Sequence, residues 1–398
     1  MRNFDAPAEI SRWQTFALGA GAIGIILWLV GLSMNPEQAY RSWLLGFIFW
    51  GGIGIGSLGI LILQYLTGGA WGVVIRRFVE AGSRTIPLLV LLFAPILWGT
   101  LTNNLYTWSV MPTDPLVHHR AAWMNPTGFG IRTIVYFGLL SIMGYLLNKW
   151  SGQQDKATNY EDSASLLGKS TAFCGPAMPF YGLIVSFMAI DWTMMLDPHW
   201  YSTMWGFLYI AGWALSCFAF MIAIIAVLSD KAPLNGVVGS RHFHDIGKLM
   251  LALVMVWAYF NLSQWLIIWS GNLPEETPWY LKRIDGGWRI VAIGLVIFHF
   301  AVPFIILLSQ TIKKRPKTLA LVAVFILLMR MIDYYFHIGP SPMMSGAIEA
   351  HLSWMDFTAP VGIGGIWLWW FFGELKTRPL VPINDPFLDN AIAHGKAH

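Results

Sequence analysis

Ten mainly apolar stretches alternate with short polar segments along the chain: Trp13–Ser33, Ser42–Leu66, Thr85–Leu105, Gly128–Trp150, Ala172–Leu196, Thr203–Leu228, Leu249–Ser270, Trp288–Leu308, Thr318–His337 and Phe357–Phe372. An α-helix needs about twenty such residues to cross a hydrocarbon layer. In lipid the backbone must satisfy its own hydrogen bonds, so runs of this length predict helices. The expected fold is an all-α integral membrane protein of about ten transmembrane helices, one polytopic domain over residues 1–398. Between the second and third runs, Arg76, Arg77 and Glu80 interrupt Val73, Val74, Ile75 and Phe78. That segment, Ala70–Ala81, is too short to span by itself and reads as a helix lying along the membrane interface. The first apolar run is too long for a signal-peptide core and reads as an uncleaved helix. No Ser- or Gly-rich linker divides the chain, and no short-period repeat is evident.

Composition agrees with this pattern. Charged residues make up 12% and apolar residues 56%, whereas a soluble domain carries about 25% charged residues to cover its surface. The 22 Trp suit membrane interfaces. A formal charge of +4 is too small and too dispersed to imply nucleic acid. Cys174 and Cys217 lie inside apolar runs and form neither a disulfide framework nor a metal cluster. With the N-terminus placed inside, Lys and Arg favour the inner segments by roughly three to one, which puts both termini in the cytoplasm. In the second run, Gly52-x-x-x-Gly56 reads as a close helix–helix contact.

Ionisable residues within spans are costly and ask for a reason. Arg330, Asp333, Tyr334 and His337 fall at i, i+3, i+4 and i+7, one face of the ninth span. They read as a proton path or pocket wall, or as a self-neutralising ion pair that fixes packing; the two readings are compatible. Asp191 and Trp192 lie in the outer third of the fifth span, which leads into the turn that holds His199. Asp191 is a candidate acceptor for a quinol proton; its alternative is a hydrogen bond to a neighbouring helix. Tyr259, Ser263 and Gln264, with Asn261 beside them and Asp245 and Lys248 at the inner mouth, are candidates for a water-holding path or for interhelical hydrogen bonds. His299 is a lone histidine in the eighth span, a candidate relay residue or a satisfied core side chain. The spans lack the two pairs of histidines that a diheme cytochrome needs, and no cysteine cluster suits an iron–sulfur centre. No heme, metal or other cofactor is expected in this chain.

The stretch Asp191-Trp192…Leu196-Asp197-Pro198-His199-Trp200-Tyr201-Ser202-Thr203-Met204 resembles the quinone-interacting membrane subunits of alternative complex III, of the NrfD-like, polysulfide-reductase-anchor superfamily. Asp245-Ile246-Gly247-Lys248-Leu249-Met250, Trp257-Ala258-Tyr259-Phe260, Ser263-Gln264 and Ile268 through Glu276 are similar to the smaller, F-type subunit of that complex. The likeness covers most of the chain and is densest over residues 185–310. It implies a bacterial inner-membrane quinol:electron-acceptor oxidoreductase, with four-helix bundles over about 42–196 and 203–337 and peripheral first and tenth spans. It also implies a quinone such as menaquinone, with Asp191, Trp192 and His199 as candidate contacts. Hemes and iron–sulfur clusters would reside in partner subunits: a multiheme cytochrome c, an iron–sulfur subunit, a sister NrfD-like subunit and small membrane subunits, with a terminal oxidase as a further partner and lipid around them. In this family a Ser commonly follows Asp-Trp-x-Met, where this chain has Met195. Three functions follow as expectations: a proton-coupling or quinone-type subunit, a passive anchor of the same complex, and a secondary transporter. The absence of matched Gly/Pro-broken spans in the two halves argues against the last.

Overall fold

Asparagines and prolines set the helix boundaries. Asn35, Asn125 and Asn159 each accept a hydrogen bond from a backbone amide three residues on, and Pro36 and Pro126 follow two of them. An asparagine cap with proline at the first helical position relieves the orphan amides of a helix start. The computed structural model describes residues 4–111, 113–344 and 352–396. Its long elements are α1 (Glu9–Met34), α2 (Pro36–Thr67), α3 (Ala70–Ser83), α4 (Ile86–Leu101), α5 (Pro126–Gln154) and α6 (Tyr160–Trp192). They continue as α7 (Trp205–Leu228), α8 (Ser240–Gly271), α9 (Thr277–Ile284), α10 (Trp288–Leu308), α11 (Pro316–Ile338), α12 (Met355–Leu375) and α13 (Leu388–Lys396). The described residues form helices and connecting turns, with no strand.

Among the described residues, eight helices are long and apolar enough to cross a membrane: α1, α2, α5, α6, α7, α8, α10 and α11. The bent pair α3–α4, angled by 41°, makes a ninth if counted as one span. Helix α12, where a tenth span is expected, is continuous but is not among the eight; Gly, Pro and Trp interrupt its aliphatic residues. It packs against α1 and α2.

Over Ala70–Ala81, where an interfacial helix is expected, the helix is buried within the protein. Helix α3 is buried from Gly72 to Ser83, including Arg76, Arg77 and Glu80. It descends alongside α2: a Cβ on Gly72 would meet Gln64, and one on Gly82 would meet Ser57. Helix α4 continues the same path, with Leu92 accepting the Trp43 indole N–H at 2.8 Å. At 16 residues, α4 reaches only about 24 Å by itself, and the turn at Arg84–Thr85 joins it to α3 at 41°, as a broken span or a re-entrant turn would. The charges misled the sequence reading because their partners lie far along the chain.

Helix α2 is the axis of the molecule and the most buried of the eight. Its Gly52 and Gly56 seat α7: added Cβ atoms would lie 2.2 Å from the Trp213 ring and 2.4 Å from the Trp213 carbonyl oxygen. The Gly-x-x-x-Gly pair is thus a packing device, as its spacing suggests. Helices α2, α4, α5 and α6 adjoin in a ring, and α7, α8, α10 and α11 adjoin in another, with α2 against α7.

Candidate functional site

The polar stripe of α11 points inward as a unit. Arg330, Asp333, Tyr334 and His337 are all buried, and Arg330 and Asp333 form an ion pair through Nη1 and Oδ2. The guanidinium also lies over the Tyr334 ring, 4.3 Å from its centroid. Gly212 on α7 makes room for it, since a Cβ there would stand 2.2 Å from Nη2. Two further groups face the carboxylate: the Trp257 indole donates to Oδ2 at 3.2 Å, and His337 Nε2 lies 3.9 Å from Oδ1. The ion pair is therefore one edge of a larger cluster built from α7, α8 and α11.

That cluster reaches His299. The imidazole stacks on Trp257 with centroids 3.8 Å apart, and it is fully buried. Neither ring nitrogen has a hydrogen-bond partner among the described residues. The local backbone is unusual for a reason legible in the sequence. Pro303, four residues on, has no N–H to offer the His299 carbonyl, and Leu295–Ala301 runs as a π-helix. Such segments reposition side chains and often accompany functional sites. A buried imidazole with both nitrogens unengaged carries a desolvation cost that the fold does not offset.

Toward the end of α11 the cluster continues through His337. Its Nδ1 lies 3.5 Å from the Tyr209 hydroxyl, and its ring packs on Trp205 at 4.7 Å. Arg283 of α9 donates to the carbonyls of His337 at 2.7 Å and Phe336 at 3.1 Å. Beyond it, Trp279 stacks on Trp200 at 4.4 Å, and Lys282 pairs with Asp197 at 3.0 Å. Trp200 and Asp197 belong to the turn after α6, so titratable groups and indoles extend from mid-α11 to the loops.

Asp191 forms a separate and closed centre. Arg132 holds it in a two-point pair at 2.8 and 3.1 Å, Tyr136 donates at 2.9 Å and the Trp123 indole donates at 2.8 Å. Arg132 also lies 4.1 Å over the Trp123 ring. This geometry matches the hydrogen-bonded alternative set out for Asp191, with four donor contacts on two oxygens. Trp192, next to it, is not beside the turn histidine; it packs into Phe47, Phe93 and Phe137. His199 sits 53% exposed on the loop, paired at 3.0 Å with Asp114. Backbone amides at Val117 and Leu116, together with His199, hold the Asp114 carboxyl below its ordinary value. Asp191, Trp192 and His199 thus face three different environments.

The seventh-span candidates also divide. Gln264 is buried, bonded to Ser202 and Tyr280 at 3.2 and 3.1 Å. Tyr259 is 65% exposed on the outside of α8, and Ser263 is half-buried. Lys248 lies at the opposite end of the helix, 3.0 Å from Asp245 and remote from the Asp333 cluster.

One polar centre was not singled out in the sequence. Arg76 pairs with Asp385 at 2.5 Å, and Arg77 pairs with Glu80 at 2.7 Å and with Asp155. Arg378 stands 3.6 Å from Glu80, and Ser151 donates to Glu80 at 2.5 Å. Three arginines and three carboxylates neutralise one another, locking α3 to the end of α5 and to the C-terminal segment. No protein-family model matches the chain, and no curated protein matches it.

Proposed function

We propose that this chain is a membrane subunit of a respiratory quinol:electron-acceptor oxidoreductase of the alternative complex III type, and that its Asp333-centred cluster moves protons during quinol turnover. In this reading the chain crosses a bacterial inner membrane ten times with both termini in the cytoplasm. The ring of α2, α4, α5 and α6 and the ring of α7, α8, α10 and α11 are its two four-helix bundles, with α1 and α12 peripheral. It carries no redox centre of its own; hemes, iron–sulfur clusters and the sister quinone subunit belong to its partners.

The observation that carries the reading is the juxtaposition of Asp333 with His299 through Trp257. A carboxylate already balanced by Arg330 also receives the Trp257 indole N–H and has His337 at 3.9 Å, with His299 stacked on that indole, more polar groups than packing alone requires. An imidazole with unengaged nitrogens, stacked 3.8 Å from that indole, is a group that can accept and return a proton. His337 and Tyr209 offer the next positions toward the loops.

A second reading, the passive anchor, is favoured by Asp191. Its carboxylate is fully engaged by Arg132, Tyr136 and Trp123, which suits a structural clamp better than an open quinol site. The two readings share the same complex. Native purification through a tag on this chain tests both against a transporter. The expected preparation contains c-type heme absorbance and iron–sulfur signals and oxidises a menaquinol analogue. A homogeneous heme-free protein that exchanges a solute across vesicles would instead place it among transporters.

A further inference from the structure

We propose that α13 is a proton-released latch over the start of α8, held shut while His242 is neutral and freed when that imidazole is protonated. In α13, Leu388, Ala391 and Ile392 are buried at i, i+3 and i+4 on one face, and the helix packs on α3 and α8. Asp389, Asn390, Ala393 and Lys396 are exposed on its other side. In the last turn of α13 backbone meets backbone. A Cβ on Gly239 would run into the Gly395 carbonyl, and one on Gly395 would run into the His242 ring. His242, 0% exposed, is thus the floor on which that turn rests.

The hydrogen bonding of the ring fixes its charge state. Nδ1 accepts the Gly239 amide at 3.1 Å, satisfying one of the orphan donors at the start of α8. That nitrogen therefore offers a lone pair, and Nε2 carries the hydrogen, without a hydrogen-bond partner among the described residues. A second proton would have to go on Nδ1. It would set two N–H groups against each other, break the cap and leave a charge shut away from water. Lifting Gly395 opens the ring to solvent and removes both difficulties. Docking is accordingly favoured where histidine is neutral and weakens as pH falls below the ordinary histidine value of about 6.5.

The other groups at this junction act in both directions. His394 of α13 faces His242 with ring centroids 5.7 Å apart, and a charge there repels one on His242. Asp245 and the Ala391 carbonyl attract such a charge. Asp245 is already shared, however, with His394 at 2.8 Å and Lys248 at 3.0 Å. Protonated His394 tightens its own tie to Asp245, so the two histidines pull opposite ways on the latch. Lys313, in the helix Gln310–Lys314, lays its stem on Gly247, and Arg241 and His244 flank His242 on α8. On α3, Arg76, Arg77 and Glu80 have partners of their own. Loss of the cap and burial of the imidazolium therefore decide the sign.

The test follows α13 by double electron–electron resonance on the full chain in detergent. Spin labels go on Ala393→Cys and Thr311→Cys, both exposed, while native Cys174 and Cys217 are buried. One narrow distance is expected at about pH 8. A second, longer distance is expected to grow in below about pH 6.5, its ratio to the first rising roughly tenfold per pH unit. His242→Asn offers an amide oxygen to Gly239 and takes no proton, so α13 should stay docked throughout. His394→Gln should keep the step, which decides the matter if the first variant does not purify. A control pair, Thr158→Cys with Thr311→Cys, should not move. A wild-type distance that holds from about pH 8 to about pH 5 would overturn the proposal. So would a step that survives His242→Asn, vanishes in His394→Gln or appears equally in the control pair.

Discussion

His299 is where residue-scale chemistry is most exposed to test. Its ring contributes a stack on Trp257 and no hydrogen bond among the described residues. His299→Phe keeps an aromatic ring and removes two unengaged polar atoms, a change that is close to neutral or stabilising when it is only a matter of packing. The assembled complex should therefore keep its thermal midpoint within a few degrees, while proton uptake coupled to turnover falls. Unaltered coupling would return His299 to the core. Asp191 should behave in the opposite way. Asp191→Ala strands the Arg132 guanidinium in a mostly buried place, and loss of one partner from such a pair costs about 3–5 kcal/mol. The expected outcome is poor assembly, measured as the yield of intact complex. Near-normal yield with slow quinol oxidation would instead revive Asp191 as a proton acceptor.

The elements show how far local pattern carries. The stripe on α11 was legible because its four members repeat at helical spacing, and the structure buries all four. Asp191 was legible as a buried acid, but its partners were not: Arg132 is 59 positions away and Trp123 is 68. Helix α3 failed for the same reason on a larger scale. Its Arg76 meets Asp385, 309 positions away, and a hydrophobic pattern of fourteen residues holds no trace of that. A cysteine scan separates the two placements of α3. Single cysteines from Val73 to Ala81, in a chain whose native Cys174 and Cys217 are buried, should all resist a membrane-impermeant thiol reagent. A helix lying at the interface would label every third or fourth position.

At the scale of the molecule, burial marks the faces left for other components. Helices α1, α8 and α10 are the least buried of the eight apolar helices, the faces from which a larger assembly or lipid would cover this chain. The charge bias along the sequence is the ground for expecting Pro198 and the C-terminal segment on opposite sides. Reporter fusions at those two sites should accordingly give opposite signals, and same-side signals would remove the ten-span arrangement.

The central claim is that the Asp333 cluster carries protons rather than only holding α11 to its neighbours. Replacing Arg330 and Asp333 together by Met and Leu removes both charges at once, so no uncompensated ion is left in the core, and swaps of this kind are often tolerated for stability. Proton release per electron, measured in vesicles containing the assembled double variant, is the most direct reading. The account predicts intact assembly with a lowered proton-to-electron ratio. Assembly with wild-type turnover and a wild-type ratio would contradict it, and would leave the cluster as the packing device of an anchor.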